Sequence, residues 1–399
     1  MSEQQAVKIY NGRILTPYRV IKNGTIIITD GIIAEVSEQP VECPGALEID
    51  AKGQYIAPGF IDIHIHGGGG ADFMDGTEEA FLQIAETHAR YGTTSLSPTS
   101  LTSEKKDILQ TLAAYEKADR KNDKGARFIG MHLEGPYFAM SQRGAQDPRY
   151  IRNPDPQEYK EILSRSSIIR RWSAAPELEG ALAFGQYLTS KGILVSVAHT
   201  DAVYEDMIRG FENGYTLATH LYSGMSGVTR RNAFRYAGAI ESALLIDEMD
   251  VEIIADGVHL PPSLLQLVYK TKGADRVALI TDAMRAAGQP PGESIIGSLH
   301  NGIKVIVEDD VAKLPDRSSF AGSVATADRL VRNMVQLAGV PVTDAVRMMT
   351  STPARIMGVA AHTGTLAKGK IADIVIFDDN ITIAATLIGG KLVYEKKHT

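Results

Sequence analysis

From residue 60 to residue 284 the sequence repeats one local pattern, a short run of β-branched and apolar residues followed by a helical stretch of roughly ten to fifteen residues. That alternation leaves a chain few ways to fold. A strand apolar on both faces has to be covered on both, and a helix returned between successive strands makes them parallel. Eight such runs are present, at residues 60–66, 93–99, 127–135, 168–177, 192–200, 215–221, 251–259 and 276–284. Eight parallel strands are the number that closes a barrel. The flanks differ. Short strand-like segments at 7–9, 13–15, 24–29, 32–36 and 46–50 are punctuated by Asn-Gly, Asp-Gly and Pro-Gly pairs, and the far end repeats the style at 372–377, 381–388 and 391–394. Neither end is large enough for its own core, so the two are expected to pack together. The predicted fold class is α/β: a (β/α)8 TIM-like barrel over residues 60–359, with a small β-sandwich domain built from both chain ends, residues 1–59 and 360–399. Past the eighth run, residues 298–313 read as a hairpin, and 328–337 and 343–350 as amphipathic helices.

Charge limits the partners. Against 48 acidic residues stand 41 Lys and Arg, a net charge of -7, and no basic run offers a footprint for nucleic acid or an anionic membrane. No apolar run approaches the ~18 residues of a membrane span, and residues 1–7 lack the basic-then-apolar layout of a signal peptide. Cys43 is the single cysteine, so no internal disulfide can form. A cytoplasmic location is the expectation.

In a parallel barrel the chemistry gathers at the C-terminal ends of the strands. Here those ends carry His64 and His66, Glu134, Glu177, His199, His220, Asp256 with His259, and Asp282, so that five of the ten histidines fall there. His64 and His66 are two apart in a strand, share a face and can converge on one ion. Alone, such a pair is as readily two inward-facing layer residues, but Gly67 to Gly70 follow, where backbone can approach a ligand closely. Glu134, with His199 and His220 on neighbouring strands, makes a two-His, one-carboxylate set. Such a set suits Zn²⁺ or Fe²⁺ better than Mg²⁺ or Ca²⁺, which prefer oxygen shells. Asp282 ends the last strand, beside the first when the barrel closes, and is placed to take a proton from a water and hand it to a leaving amine; its alternative is a helix N-cap. Glu177 and Asp256 read as orienting residues, caps or ion pairs, and His132 as a supporting or packing residue. Arg230, Arg231 and Arg235, after His220, are candidate phosphate hooks or a solvated or subunit-facing turn. Arg170-Arg171 opens a strand at the opposite end of the barrel and reads as structural.

Six motifs in order carry a resemblance. Pro58-Gly59-Phe60-Ile61-Asp62-Ile63-His64-Ile65-His66-Gly67-Gly68, His132-Leu133-Glu134-Gly135-Pro136, Ala198-His199-Thr200, Thr219-His220-Leu221-Tyr222, Ile254-Ala255-Asp256-Gly257-Val258-His259 and Thr281-Asp282-Ala283-Met284 resemble the motif series of N-acetylglucosamine-6-phosphate deacetylases, a branch of the amidohydrolase superfamily. The resemblance implies that Glu134, His199 and His220 bind the tighter metal and that His64 and His66 allow a second, giving one or two divalent ions per subunit. It implies that Asp282 is the catalytic base and then acid. It implies a phosphorylated amino sugar as substrate, touched by His259 and Arg231, in a pocket lined by the Ala145-Gln146 stretch, the backbone of Ser223 and Gly224, and Phe320, Ala321 and Gly322. A homodimer that shares part of the phosphate site is implied as well. The implied reaction is hydrolysis of the N-acetyl group of N-acetylglucosamine 6-phosphate.

Two departures stand out. Gln146 replaces a histidine that many members carry, and Ser223-Gly224 replaces their Asn-Ala. Both bear on the sugar, which leaves the galacto epimer as an alternative substrate. The segment after His220 is a residue longer, so Arg230 or Arg235 could replace Arg231. No lysine stands at any strand end, which argues against a cyclic-amide hydrolase of the same superfamily. A non-catalytic barrel that binds a sugar phosphate is the alternative of another class.

Overall fold

The computed structural model describes residues 6–397, with Arg231 described by its backbone alone. Strands β1 (Phe60–Ile65) and β2 (Thr93–Pro98) pair in parallel, and β2 continues onto Arg127–Phe128. Strands β3 (Met131–Glu134), β4 (Ile169–Ala174), β5 (Leu194–Val197), β6 (Tyr215–Ala218), β7 (Asp250–Ile253) and β8 (Val277–Leu279) pair in that order, all parallel. Each of the eight falls within or starts one residue before a predicted run. Hydrogen bonds join the two sheets on both sides. Thr99 bridges His132, with the Ser100 N–H donating to His132 O at 3.0 Å. Opposite, the Asp282 N–H donates to His64 O at 3.0 Å and the His66 N–H to Ala283 O at 2.9 Å, so the eighth run lies beside the first. The first seven strands are followed in turn by helices Glu78–Ala89, Lys105–Asp119, Pro156–Arg165, Ala181–Ser190, Tyr204–Glu212, Ala239–Leu245 and Pro262–Lys272, and after β8 comes Ala327–Gln336. No described helix is long and apolar enough to cross a membrane.

Strands β1, β2, β3 and β7 are buried at every position, as continuous apolar runs require. Alternation divides their faces. Ile61 and Ile63 pack outward with Ile280 and Ala354, while the inward positions are polar and buried, among them Asp62, His132, Ser173, Ser196, Thr219 and Glu252. So much buried polarity is tolerable only because the groups satisfy one another: His132 Nε2 lies 2.6 Å from Ser173 Oγ, which lies 2.7 Å from Ser196 Oγ. Arg171 departs from its expected place. Alternation leaves Arg170 exposed and turns Arg171 inward, where its fully buried guanidinium pairs with Glu252 of β7.

Both chain ends meet in one eight-stranded sheet, in which Tyr55–Pro58 pairs antiparallel with Ile374–Phe377. One face encloses Ile9, Ile14, Ile26, Ile56, Ile374 and Leu387. Ala57, Val375 and Phe377, on alternate positions, join the large core of the parallel strands and their helices. The predicted hairpin at 298–313 is part of something larger, a four-stranded antiparallel sheet of Gly292–Ile296, Ile303–Glu308, Val311–Lys313 and Phe320–Ser323. Its first strand opens Gly292-Glu293-Ser294, with no apolar alternation to announce it.

Buried Asp373 ties the two parts together. Its carboxylate accepts hydrogen bonds from Arg127, from Thr363 Oγ1 at 3.0 Å and from the Gly389 N–H at 3.0 Å. Asp373→Ala strands these donors and should destabilise the protein by about 2–3 kcal/mol. Chemical denaturation would show this as a lower midpoint at unchanged slope; a wild-type midpoint would contradict it.

Candidate active site

Four imidazoles and two carboxylates converge where the strands end. Glu134, the last residue of β3, places Oε1 3.0 Å from His220 Nε2 and 3.5 Å from both His64 Nε2 and His199 Nε2. Its Oε2 is 3.5 Å from His66 Nε2. Asp282 Oδ1 is 3.1 Å from His66 Nε2 and 3.5 Å from His64 Nε2. All six residues are buried. Two triplets of ligand atoms therefore exist, His64/His66/Glu134 and Glu134/His199/His220, with Glu134 common to both.

The backbone turns sharply to aim these groups. His199, His220 and Asp282 follow their strands with φ of 48°, 30° and 47°, a left-handed conformation that costs a non-glycine residue roughly 1–2 kcal/mol. Such strain persists where surrounding contacts fix it, and sites of function are where it collects. The far ring nitrogens are also fixed. His199 Nδ1 lies 2.8 Å from Gln142 O and His66 Nδ1 3.3 Å from Thr99 O. Donation to a carbonyl selects the Nδ1–H tautomer and leaves the Nε2 lone pair facing inward, the form that binds a cation. Gly224 belongs to this arrangement. A Cβ there would lie 2.7 Å from His199 Nδ1 and 2.9 Å from Gln142 O, and its φ is +58°.

Electrostatics favour a cation. Burial pushes the Glu134 carboxyl up, but His64, the hydrogen bonds of His199 and His220, and His66 outweigh it and hold the group well below the carboxylate range. Asp282 follows the same pattern, burial being overcome by its His66 hydrogen bond and by His64. Burial lowers His64, against the opposing pull of Glu134 and the Glu252 hydrogen bond. Burial also acts to lower His66, yet the Asp282 hydrogen bond and the Glu134 charge raise it to about 9. Borderline nitrogen donors with ionised carboxylates, aimed at one point, fit a divalent transition metal.

A cavity of about 500 Å³ opens above these groups. Of the residues expected to meet substrate, Ala145, Gln146, Ser223, Gly224, His259, Phe320 and Gly322 line it. Ala321 is fully buried among Met284, Val305 and Ala312 in the core of the antiparallel sheet. His259 Nδ1 is 2.7 Å from Asp256 Oδ2, its other ring nitrogen has no hydrogen-bond partner among the described residues, and its ring packs on Phe320. Gln146 is engaged at both ends of its amide: Nε2 donates to Glu134 Oε2 at 2.7 Å and Oε1 accepts the Thr102 N–H at 2.9 Å. That pattern fixes the amide orientation, since a flip would set oxygen against oxygen.

Arg230 and Arg235 are exposed on the hairpin of Thr229–Arg231 and Phe234–Tyr236 and do not line the cavity; the Arg231 side chain lies outside the described residues. The cations that do line it, Lys313 and Arg317, belong to no motif of the sequence. They pair with Asp309 and Glu308 on the antiparallel sheet, far along the chain from every motif. Glu177 accepts from Thr200 Oγ1 at 2.6 Å and from the Asp201 N–H at 2.7 Å, bracing the loop after His199.

A model of the amidohydrolase family matches residues 55–393. An N-acetylglucosamine-6-phosphate deacetylase of Lysinibacillus sphaericus is 33% identical over 91% of this chain and 91% of its own length. An N-acetylgalactosamine-6-phosphate deacetylase of Escherichia coli O157:H7 is 32% identical over 95% of this chain and 97% of its own. A mutant N-acetyl-D-glucosamine-6-phosphate deacetylase from Mycobacterium smegmatis, solved in complex with N-acetyl-D-glucosamine-6-phosphate, superposes with a TM-score of 0.90 at 29% identity, over 98% of this chain and 100% of that one.

A histidine raised from about 6.5 when unfolded to about 9 when folded contributes stability that is complete below the lower value and lost as pH rises through the higher one. Metal-stripped protein should therefore lose thermal stability as pH rises from about 6.5 through the folded value of about 9, and His66→Asn should flatten the trend. Parallel curves for the two proteins would remove His66 as its source.

Proposed function

This chain belongs to the amidohydrolase family, and on that premise we propose that it hydrolyses N-acetyl-D-glucosamine 6-phosphate to D-glucosamine 6-phosphate and acetate, a step of amino-sugar catabolism. The observation that carries this reading is the convergence of Glu134, Asp282 and four imidazoles on the floor of one sugar-sized cavity. We read the eight parallel runs as a (β/α)8 barrel over residues 60–359 and the chain ends, 1–59 and 360–399, as its β-sandwich domain.

Glu134, His199 and His220 would hold one divalent cation, and His64 and His66, sharing Glu134, a second; Zn²⁺ or Fe²⁺ suits such donors. An ion there would supply Lewis-acid polarisation of the amide carbonyl and a more acidic water. Asp282, kept ionised by its imidazole neighbours, accepts the proton of the attacking water. It then donates that proton to the amide nitrogen as the C–N bond breaks, so the amine leaves neutral and acetate keeps the new oxygen. His259, held by Asp256, offers its second ring nitrogen to the substrate. Ala145, Gln146, Ser223, Gly224, Phe320, Ala321 and Gly322 shape the pocket, the buried Ala321 through its backbone. The phosphate would be met by Arg231, or by Arg230 or Arg235, from the exposed hairpin of a partner in a homodimer. The exposed Val228 and Phe234 on and beside that hairpin give it an apolar surface to bury.

The galacto epimer is the second reading, favoured by the 32% identity to the Escherichia coli enzyme. Acetate release by metal-loaded protein from the gluco epimer, the galacto epimer and the unphosphorylated gluco sugar separates these readings. The phosphorylated gluco sugar should turn over fastest and the unphosphorylated sugar slowest. A faster galacto rate would replace the substrate, and no release from any of them would leave a non-catalytic sugar-phosphate-binding barrel. Asp282→Asn should keep the metal and lose about 10²–10⁴ in kcat; near-wild-type turnover would overturn its role.

A further inference from the structure

Beneath the imidazoles, in the interior of the strand ring, lies a charged pair that no sequence motif marks. Arg171 of β4 is fully buried, and each of its five N–H groups has an acceptor. Nε donates to Ser196 Oγ at 3.0 Å. Nη1 donates to Ile63 O at 3.2 Å and to Glu252 Oε1, and Nη2 to Thr219 Oγ1 at 2.9 Å and to Glu252 Oε2 at 2.9 Å. Glu252 of β7 thus sits in a bidentate grip that fixes its plane. Its Oε2 lies 3.4 Å from His64 Nδ1. The other imidazoles of the cluster lack this. Nδ1 of His66 and of His199 faces a backbone carbonyl, and His220 Nδ1 has no partner among the described residues. Arg171 also holds the carbonyl of Ile63, the residue before His64, so the guanidinium fixes both the backbone and, through Glu252, the ring.

We propose that Glu252 and Arg171 are positioning residues for the second cation: Glu252 accepts the His64 Nδ1–H, and Arg171 holds Glu252 in place to do so, which keeps the His64 Nε2 lone pair aimed at the point shared with His66 and Glu134. The proposal rests on reading His64 and His66 as cation ligands. A carboxylate behind a ligating histidine fixes its tautomer and raises its basicity, and loss of such a partner costs about 10–100-fold in metal affinity. The pair is not there for stability alone. A buried ion pair is often matched or bettered by apolar residues of similar volume, whereas an acceptor for His64 Nδ1 has no apolar substitute.

The test removes the ion pair in two ways. Arg171→Met/Glu252→Leu deletes both charges and the acceptor; Arg171→Met/Glu252→Gln deletes both charges but keeps an amide oxygen for His64. Removing the charges together avoids a lone buried ion and keeps the fold attainable. Metal-stripped proteins, checked for folding by circular dichroism, are titrated with Zn²⁺ against a chromophoric chelator, with wild type and His64→Asn alongside. We expect the Leu variant to bind its second ion about 10–100-fold more weakly, with the first ion unchanged and the Gln variant closer to wild type. Equal losses in the two double variants, or none in either, would overturn the positioning role. If His64→Asn binds as many ions as wild type, with equal affinity, the ligand reading of His64 fails and the proposal falls with it.

Discussion

The site exists because β8 closes on β1. The hydrogen bonds from Asp282 to His64 and from His66 to Ala283 bring together residues more than two hundred positions apart, and in doing so set one carboxylate against two imidazoles. Closing a loop of that length costs on the order of 5 kcal/mol in chain entropy. Against this stand the many apolar side chains of the shared core, each contributing roughly 1.5–3 kcal/mol on burial. The backbone at the end of β1 is bonded on both sides, Ile65 O accepting the Thr99 N–H and His64 O the Asp282 N–H.

The parallel strands are short, and the chain fills the space between their inward faces with polar groups. The Arg171–Glu252 pair, the hydroxyls of Ser173, Ser196 and Thr219, and His132 form a bonded layer directly below the imidazoles. Apolar filling would pack as well, but it offers no donors or acceptors to fix a ring's tautomer. The left-handed turns at His199, His220 and Asp282 extend the same logic to the backbone. Strain there is held in place by the rest of the core, and the side chains are aimed at one point.

The strand runs and their terminal residues were legible in the sequence because each signal is local. A run of β-branched residues ends, a histidine or carboxylate follows, and the parallel topology decides which end of the strand that is. What escaped depends on direction and distance. Arg171 looked structural because it stands near the start of its strand, yet alternation sends its long side chain inward and toward the chemistry. Glu252 sits inside a buried strand with nothing to separate it from a structural acid until Arg171 and His64 are seen on either side. The backbone carbonyls of Thr99 and Gln142 carry no residue signature at all. Lys313 and Arg317 reach the cavity on a sheet whose strands are too short and too mixed to read. Gly224 marks a departure from the motif series, and the close approach of the His199 ring to it is visible only in three dimensions.

The sheet made from both chain ends sets a timetable on synthesis. Pro58 pairs with Ile374, which leaves the ribosome more than three hundred residues later, a wait of tens of seconds at ordinary elongation rates. Through that interval the strand that leads directly into β1 has one unpaired side. A chain released before residue 374 would hold all eight parallel strands and every residue that converges on Glu134. It would still carry an open edge at Tyr55–Pro58, a template on which another unfinished chain can pair.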